Sequence, residues 1–231
     1  DRLIAQSGSQ PEGELQREER LRLQIILQGL KKYGGKVAVP DLDDQRRKVL
    51  VIGQVEDDAS ILCGTGETKT NLGLLRAARD AQPDAMIVWR PHPDVEAGLR
   101  AGQIDEKALE GLADVALSGT PADAALAAID EVWTMTSTMG FEALLRGKPV
   151  TTLGMPFYAG WGLTSDRLPA PALRGSSVSL DGLVHACLIG YPRYFHPVTG
   201  KPLSPEQAVS LLLGGFDLPG ETFVGRLLKL F

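Results

Sequence analysis

Ile87-Val88-Trp89-Arg90-Pro91-His92-Pro93 is a short apolar run that stops at an arginine and at a histidine placed between two prolines. Proline cannot donate to a sheet ladder and favours extended geometry before it, so the run predicts a buried strand that ends at Arg90. Open α/β sheets bind their ligands at the carboxyl ends of parallel strands. We therefore expect Arg90 and His92 to face a ligand, and phosphate suits both side chains.

Further strands and helices alternate on both sides of this run. Strands are predicted at residues 49–53, 85–90, 115–117, 132–135 and 149–153, with helices at 71–81, 105–113, 121–129 and 138–146, the first of them capped by Asn71. The alternation predicts an α/β fold, a Rossmann-like doubly wound parallel sheet of about five strands, with extra helices at both ends of the chain. The expected strand order is third, second, first, fourth, fifth, which brings the loops after the first and fourth strands into one crevice with Arg90.

The sequence also predicts three segments. Residues 1–47 are a connecting helix (14–30, stopped by Gly34-Gly35) and a linker, and residues 48–175 are the Rossmann-like domain. Residues 176–231 carry helices near 180–189 and 205–213 and close at 227–231, either packing on the same domain or crossing to a missing N-terminal domain. Since the chain starts at Asp1 without methionine and runs into an amphipathic segment, we expect a larger protein whose N-terminal half is absent here.

Composition excludes several classes of function. The chain has 231 residues, is 43% hydrophobic and carries a formal net charge of −5, so it offers no general attraction for nucleic acid. Cys63 and Cys187 lack metal-ligand spacing, and we expect packed thiols in a reducing compartment and no metal site. No apolar run reaches the roughly 18 residues of a membrane span, and a cytoplasmic protein is expected.

Three consecutive carboxylates follow the first predicted strand, in Gln54-Val55-Glu56-Asp57-Asp58-Ala59-Ser60. An acidic run is often a solvated turn. At the switch point of the sheet, however, a carboxylate can also act as a nucleophile at a sugar carbon or as a general base. Both interpretations stay open.

Hydroxyl groups follow the fourth predicted strand, in Thr136-Ser137-Thr138-Met139-Gly140-Phe141-Glu142. Ser137 or Thr138 can simply cap the helix, and the free amides of a helix start can also bind an anion. Glu142 lies one turn further, where it stabilises the helix dipole or holds the two hydroxyls of a ribose. His92 has a similar alternative, since it can cap the turn that follows it.

Several blocks of this chain, in order, resemble the capsule polysaccharide retaining β-Kdo glycosyltransferases (KpsC-like). The similar segments are Lys32-Tyr33, Gly53-Gln54-Val55-Glu56-Asp57-Asp58-Ala59-Ser60, Arg90-Pro91-His92-Pro93-Asp94-Val95, residues 136–150, and Pro156-Phe157-Tyr158-Ala159-Gly160-Trp161-Gly162-Leu163-Thr164. The resemblance implies the C-terminal, nucleotide-binding half of a two-domain GT-B glycosyltransferase. It also implies CMP-β-Kdo as donor substrate, no separate cofactor, and a lipid-linked Kdo acceptor on which the Kdo linker is built.

The resemblance also implies roles for individual residues. The family pattern Gln-x-x-x-Asp-x-Ser falls on Gln54, Asp58 and Ser60. It makes Asp58 the nucleophile, with Asp57 as the alternative, and either Glu56 or Asp57 is a candidate acid/base partner. The resemblance also places His92, Ser137 and Thr138 near the CMP phosphate and Glu142 at the ribose. The other residues expected to bind the donor are Gln54, Ser60, Arg90, Thr136, Gly140, Tyr158 and Trp161.

The aromatic block has two interpretations. Its rings can stack on cytosine, or they can pack the end of the fifth strand against the C-terminal helices. His185 and His196 match no role of the family and are expected to be structural.

Two rival functions stay open. One is another GT-B enzyme, such as a UDP-sugar transferase or epimerase, and the other is a non-catalytic nucleotide-binding module, since half an active site transfers nothing by itself. Peripheral contact with the inner membrane is also left open. The acceptor is lipid-linked, yet Arg226-Leu227-Leu228-Lys229-Leu230-Phe231 is too short for an anchor.

Overall fold

The computed structural model describes residues 1–7, 16–33, 42 and 45–213. The chain divides into two compact units, one formed by Asp1–Lys36 with Ala172–Phe231 and the other by Val37–Pro171. The predicted division into segments 1–47, 48–175 and 176–231 stays a prediction, as does the packing of the last segment in a longer protein.

The Val37–Pro171 unit is built on a six-stranded sheet in which every pairing is parallel. Its strands are β1 (Lys48–Ile52), β2 (Met86–Arg90), β3 (Val115–Ala116), β4 (Glu131–Thr134), β5 (Val150–Thr152) and β6 (Ser165–Asp166). The order is β3-β2-β1-β4-β5-β6. The predicted order of the first five strands is confirmed, and β6 is a two-residue addition at the edge.

Helices cover both faces of this sheet. Side chains alternate between the faces along each strand, so Val49 and Val51 pack into a core with Leu74 and Leu75, which lie on the second helix after β1. Arg90, in register with Ile52, points to the opposite face, where its guanidinium contacts Met139 of the helix after β4. The doubly wound α/β class is therefore confirmed.

The helices of this unit are shorter than predicted, with one exception. They are α3 (Ala59–Gly64), α4 (Asn71–Ala81), α5 (Pro93–Glu96), α6 (Glu106–Leu109), α7 (Ala122–Ala127) and α8 (Thr138–Leu145). Helix α3, which directly follows the carboxylates, is not among the sequence predictions. The prediction of Asn71 as an N-cap is wrong, because Thr70 caps α4 by accepting from the Gly73 amide.

The other unit is mostly helical over its described residues. It contains α1 (Arg2–Ser7), α2 (Gln16–Tyr33), a 3-10 turn (Ala172–Arg174), α9 (Leu180–Val184), a π-helical turn (His185–Gly190) and α10 (Pro205–Leu213), with the hairpin β7 (Tyr194–Phe195) and β8 (Pro202–Leu203). The predicted helices near 14–30, 180–189 and 205–213 are confirmed over the described residues. Residues 14–15, the Gly34-Gly35 stop, residues 40, 41, 43 and 44 of the linker and residues 227–231 lie outside them.

Both histidines of this unit make local hydrogen bonds. His185 Nδ1 lies 2.7 Å from Oε1 of buried Glu18, which joins the π-helical turn to α2. His196 Nδ1 accepts from the Val198 amide at the tip of the hairpin. Within the described ranges, no helix combines the length and the apolar character that crossing a bilayer requires.

Candidate functional site

The loops that follow β1 and β4 are joined by one buried side chain, Gln54. Its Oε1 accepts from the Thr136 amide at 2.8 Å and from the Thr134 hydroxyl at 3.1 Å, and its Nε2 donates to Thr136 Oγ1 at 2.9 Å. The backbone of Gln54 is held in turn by Asn71, whose side chain accepts from its amide and donates to its carbonyl. The predicted convergence of these two loops at the switch point is thus present, and Gln54 lies underneath it as a bridge.

Each of the three consecutive carboxylates has a different partner. Glu56 Oε1 accepts from the Asn71 amide at 2.7 Å, and Asp57 Oδ1 forms an exposed ion pair with Arg100 at 2.9 Å. Asp58 is the N-cap of α3, where its Oδ1 accepts from the Ser60 amide at 2.8 Å. Glu56 therefore has a structural role, while Asp57 and Asp58 both remain exposed at the carboxyl edge of the sheet.

Asp58 lies at the end of a directed series of hydrogen bonds. Because Gln54 Nε2 donates to Thr136 Oγ1, the Thr136 hydroxyl is left to donate its own proton, and it reaches Ser60 Oγ at 3.3 Å. The amide of Ser60 and then its hydroxyl lower the pKa of Asp58 most; burial opposes them, and the nearby Arg100 and His92 add smaller lowering effects. Asp58 is thus an exposed carboxylate that is fixed in orientation and held in its ionised form.

His92 begins the short helix α5 as its N-cap. Its Nδ1 accepts from the Asp94 amide at 3.2 Å, so the proton of a neutral ring lies on Nε2. His92 therefore caps the turn that follows it, as an acceptor for an amide, and this leaves an N–H on the other side of a half-buried ring.

Arg90 is more deeply buried than a residue that binds phosphate at the protein surface. It is 4% exposed, and its guanidinium donates to the Thr120 carbonyl at 3.0 and 3.2 Å and contacts Met139 Sδ. These bonds tie β2 to the segment before α7 and to α8. A direct contact between Arg90 and phosphate stays a prediction.

The start of α8 is organised by Ser137. Its Oγ accepts from the Met139 amide, and its own amide donates to Thr134 Oγ1 at 3.2 Å, so Ser137 is the N-cap and Thr138 is the exposed first residue of the helix. Gly140 has a packing role, because a Cβ there would lie 2.1 Å from Tyr158 Oη. Glu142 is fully buried. Its ribose contact stays a prediction.

The aromatic side chains after β5 point inward. Tyr158 and Trp161 are both 0% exposed, Tyr158 Oη donates to the Ser137 carbonyl at 2.6 Å, and Trp161 Nε1 donates to the Phe157 carbonyl at 2.9 Å. Burial raises the pKa of Tyr158, which keeps the phenol protonated as a donor. Neither ring offers an exposed face to a base in this structure. Tyr158 holds the start of α8 through Ser137, and Trp161 holds its own loop through Phe157.

Two residues of the site escaped the sequence predictions. Asn71 joins the loops after β1 and α5, because its Nδ2 donates to both the Gln54 and the Gly102 carbonyls. Arg100 pairs with Asp57. The sequence does contain a signal for Arg100. It lies between Gly98 and Gly102 in the segment after His92, and such glycines mark tight turns.

Comparisons with known proteins agree on the family. The family model described as "Capsule polysaccharide biosynthesis protein" matches residues 21–194, about three quarters of the chain. The matched range includes all of the loops described above.

Two curated relatives are longer proteins. The capsule polysaccharide modification protein LipA of Neisseria meningitidis serogroup B is 47% identical over 165 residues, covering 71% of this chain and 23% of LipA. The lipopolysaccharide-processing protein LpsZ of Rhizobium meliloti is 40% identical over 215 residues, covering 91% of this chain and 49% of LpsZ. The chain thus spans between about a quarter and about half of the curated relatives it matches.

Two solved structures share the fold. The β-Kdo 2,7 transferase of Thermosulfurimonas dismutans KpsC superposes with a TM-score of 0.75 and 34% identity, over 94% of this chain and 66% of that one. The β-Kdo 2,4 transferase of the same KpsC gives a TM-score of 0.73 and 32% identity, over 90% and 65%.

Proposed function

Because this chain belongs to the capsule polysaccharide biosynthesis protein family, we propose that it is the donor-binding half of a retaining β-Kdo glycosyltransferase. The donor would be CMP-β-Kdo and the acceptor a lipid-linked Kdo, so that the product is the Kdo linker of a lipid-anchored capsular polysaccharide. Both superposed KpsC structures are β-Kdo transferases, which supports Kdo as the transferred sugar. The observation that carries the mechanism is Asp58, an exposed and ionised carboxylate at the carboxyl end of the central strand.

In the proposed first step, Asp58 attacks the anomeric carbon of Kdo from the face opposite CMP. A bond forms between a carboxylate oxygen and that carbon, while the bond from the carbon to the phosphate oxygen breaks and CMP leaves with the electron pair. The product is a glycosyl-enzyme ester with inverted configuration. Fixing the carboxylate through Ser60 supports this step, since a rigid nucleophile loses little entropy on reaction.

The leaving phosphate needs positive charge and N–H or O–H donors as the bond breaks. His92 can supply its Nε2 proton, and the exposed residue Thr138 at the start of α8 can supply its hydroxyl. Arg90 would add its charge from below the loop. These residues stand where the ligand of an open α/β sheet is expected, at the carboxyl edge around β1, β2 and β4.

In the second step, a hydroxyl of the acceptor attacks the same carbon and releases Asp58, which restores the original configuration. A base must take the acceptor's proton. Asp57 is a better candidate than Glu56, because Asp57 is exposed in its pair with Arg100 while Glu56 is bonded to the Asn71 amide.

The rest of the reaction needs parts beyond this chain. We assign the acceptor site to a missing N-terminal GT-B domain of a longer cytoplasmic protein, which would work against the inner face of the inner membrane to reach its lipid-linked acceptor. The shares of LipA and LpsZ that this chain covers leave room for such a domain. The chain alone is expected to bind CMP weakly and to transfer nothing.

Calorimetry with CMP and UDP tests this function on the chain itself. CMP should bind, and UDP should bind more weakly or not at all. The variant Asp58→Asn is the matched control, because it keeps the helix cap and should leave CMP affinity unchanged. Tighter binding of UDP would contradict the Kdo assignment and favour another nucleotide-sugar enzyme.

A further inference from the structure

The segment after α5 is pressed against the carboxylate loop. The Leu99 and Arg100 amides both donate to the Asp94 carbonyl, and the Ala101 carbonyl accepts from the Glu56 amide at 3.1 Å. Gly102 has a φ of 126°, and a Cβ there would lie 2.6 Å from Asn71 Nδ2. Because only glycine fits this close approach, residue 100 is presented at a defined place beside the carboxylates.

Arg100 carries a permanent positive charge at that place. One of its N–H groups donates to Asp57 at 2.9 Å, and the two side chains are 42% and 58% exposed. A guanidinium has five N–H donors in a planar fork, so the Asp57 bond leaves others for a second carboxylate. An exposed pair of this kind is weak and can exchange its partner for a ligand.

We propose that Arg100 binds the carboxylate group of the donor sugar, an assignment that rests on the proposed function. Kdo is an ulosonic acid, so its carboxylate is attached to the same anomeric carbon that Asp58 attacks. A carboxylate nucleophile approaching such a carbon meets a second negative charge within a few ångströms. A cation beside both groups removes this repulsion, and a planar fork also orients the sugar.

The position of Arg100 matches this task. It belongs to the same loop cluster as Asp58, and its charge already acts on that carboxylate. Arg90 could not serve in the same way at the surface, because it is 4% exposed. Arg100 is therefore a specificity residue that selects donors with a carboxylate at the reacting carbon, and it is distinct from the phosphate-binding residues.

Calorimetry can separate this role from a structural ion pair. The chain is titrated with CMP and with CMP-β-Kdo in an Asp58→Asn background, which prevents capture of the sugar. Arg100→Gln should weaken CMP-β-Kdo by about tenfold, the order expected for one charged hydrogen-bonded contact, and leave CMP unchanged. Arg100→Lys should recover part of the loss. Arg76→Gln, at an exposed position on α4, is the matched control and should change neither ligand.

Asp57→Asn sharpens the test, because it breaks the same ion pair from the other side. If Arg100 binds the sugar, removing its competitor should leave CMP-β-Kdo affinity equal or higher. Equal weakening by Arg100→Gln and Asp57→Asn would overturn the proposal in favour of a purely structural pair, and so would a background chain that binds CMP-β-Kdo no better than CMP. Absence of CMP binding in that background would instead overturn the proposed function.

Discussion

The carboxylate loop after β1 (residues 54–60) and the aromatic loop after β5 (residues 154–163) make an instructive comparison. Both leave the same edge of the same sheet, and both carry residue types found in ligand sites. Asp57 and Asp58 are exposed there, whereas Tyr158 and Trp161 are fully buried and use their polar atoms on backbone carbonyls. Position at the carboxyl edge is therefore common to both loops. What distinguishes a candidate reactive group from a structural one is whether its polar atoms face solvent or are used on the protein backbone.

The largest expected effect follows removal of Asp58. In the longer protein, Asp58→Ala should lower transfer by at least about a thousandfold, as loss of a nucleophile does elsewhere. It should also lower the free energy of unfolding by about 1 kcal/mol through loss of the α3 cap. Steady-state transfer and denaturant unfolding measure the two effects.

Asp58→Asn separates the loss of transfer from the loss of stability, since asparagine keeps the helix cap but cannot attack the sugar. It should be as stable as the parent protein and equally inactive. Turnover retained by either variant would move the nucleophile to Asp57 or to another residue.

The aromatic loop should respond in the opposite way. Trp161→Ala should lower the free energy of unfolding by about 3–5 kcal/mol, because it empties a fully buried site. The milder Tyr158→Phe should cost about 1 kcal/mol for one hydrogen bond. Once folded, both variants should bind CMP as the parent does in calorimetry. A Trp161→Ala chain of normal stability that no longer binds CMP would restore the stacking interpretation and erase the contrast between the loops.

The smallest expected effect is a shift in pH dependence from Ser60. The hydroxyl of Ser60 helps to lower the pKa of Asp58, so Ser60→Ala should raise that pKa towards its ordinary value. Because only ionised Asp58 can attack, the acidic limb of the kcat/KM profile should move to higher pH.

Ser60→Thr retains a hydroxyl and is the control, which should leave the limb in place. The same shift has a consequence for folding. A depressed carboxyl pKa stabilises the native state above the unfolded pKa, and this contribution disappears as the pH falls through the folded value. An unchanged acidic limb in Ser60→Ala would mean that Asp58 is not the titrating nucleophile.

Much of the sheet could be predicted because buried parallel strands are continuous apolar runs. Residues of β1 and β2 are buried along almost their whole length, and α4 between them carries the expected helical spacing of apolar residues. The helix α3 could not be predicted in the same way. It has six residues and one buried side chain, Ile61, so it carries no periodic signal.

Local sequence patterns do not report interactions between distant parts of the chain. Asn71 has the residue type of a cap, but its side chain binds the Gln54 backbone 17 positions away, and the neighbouring Thr70 takes the cap. The aromatic residues have the composition of a stacking loop, yet Gly140 lets Tyr158 pack under α8. No local pattern in the sequence reports such contacts.

In the proposed mechanism Asp58 becomes covalently bound to the sugar. Intact mass spectrometry of the longer protein, incubated with CMP-β-Kdo and no acceptor, tests it most directly. We expect a mass increase of one Kdo residue, mapped by peptide analysis to Asp58, absent in Asp58→Asn and lost when acceptor is added. Retaining transfer without any adduct, or an adduct on a different residue, would contradict it.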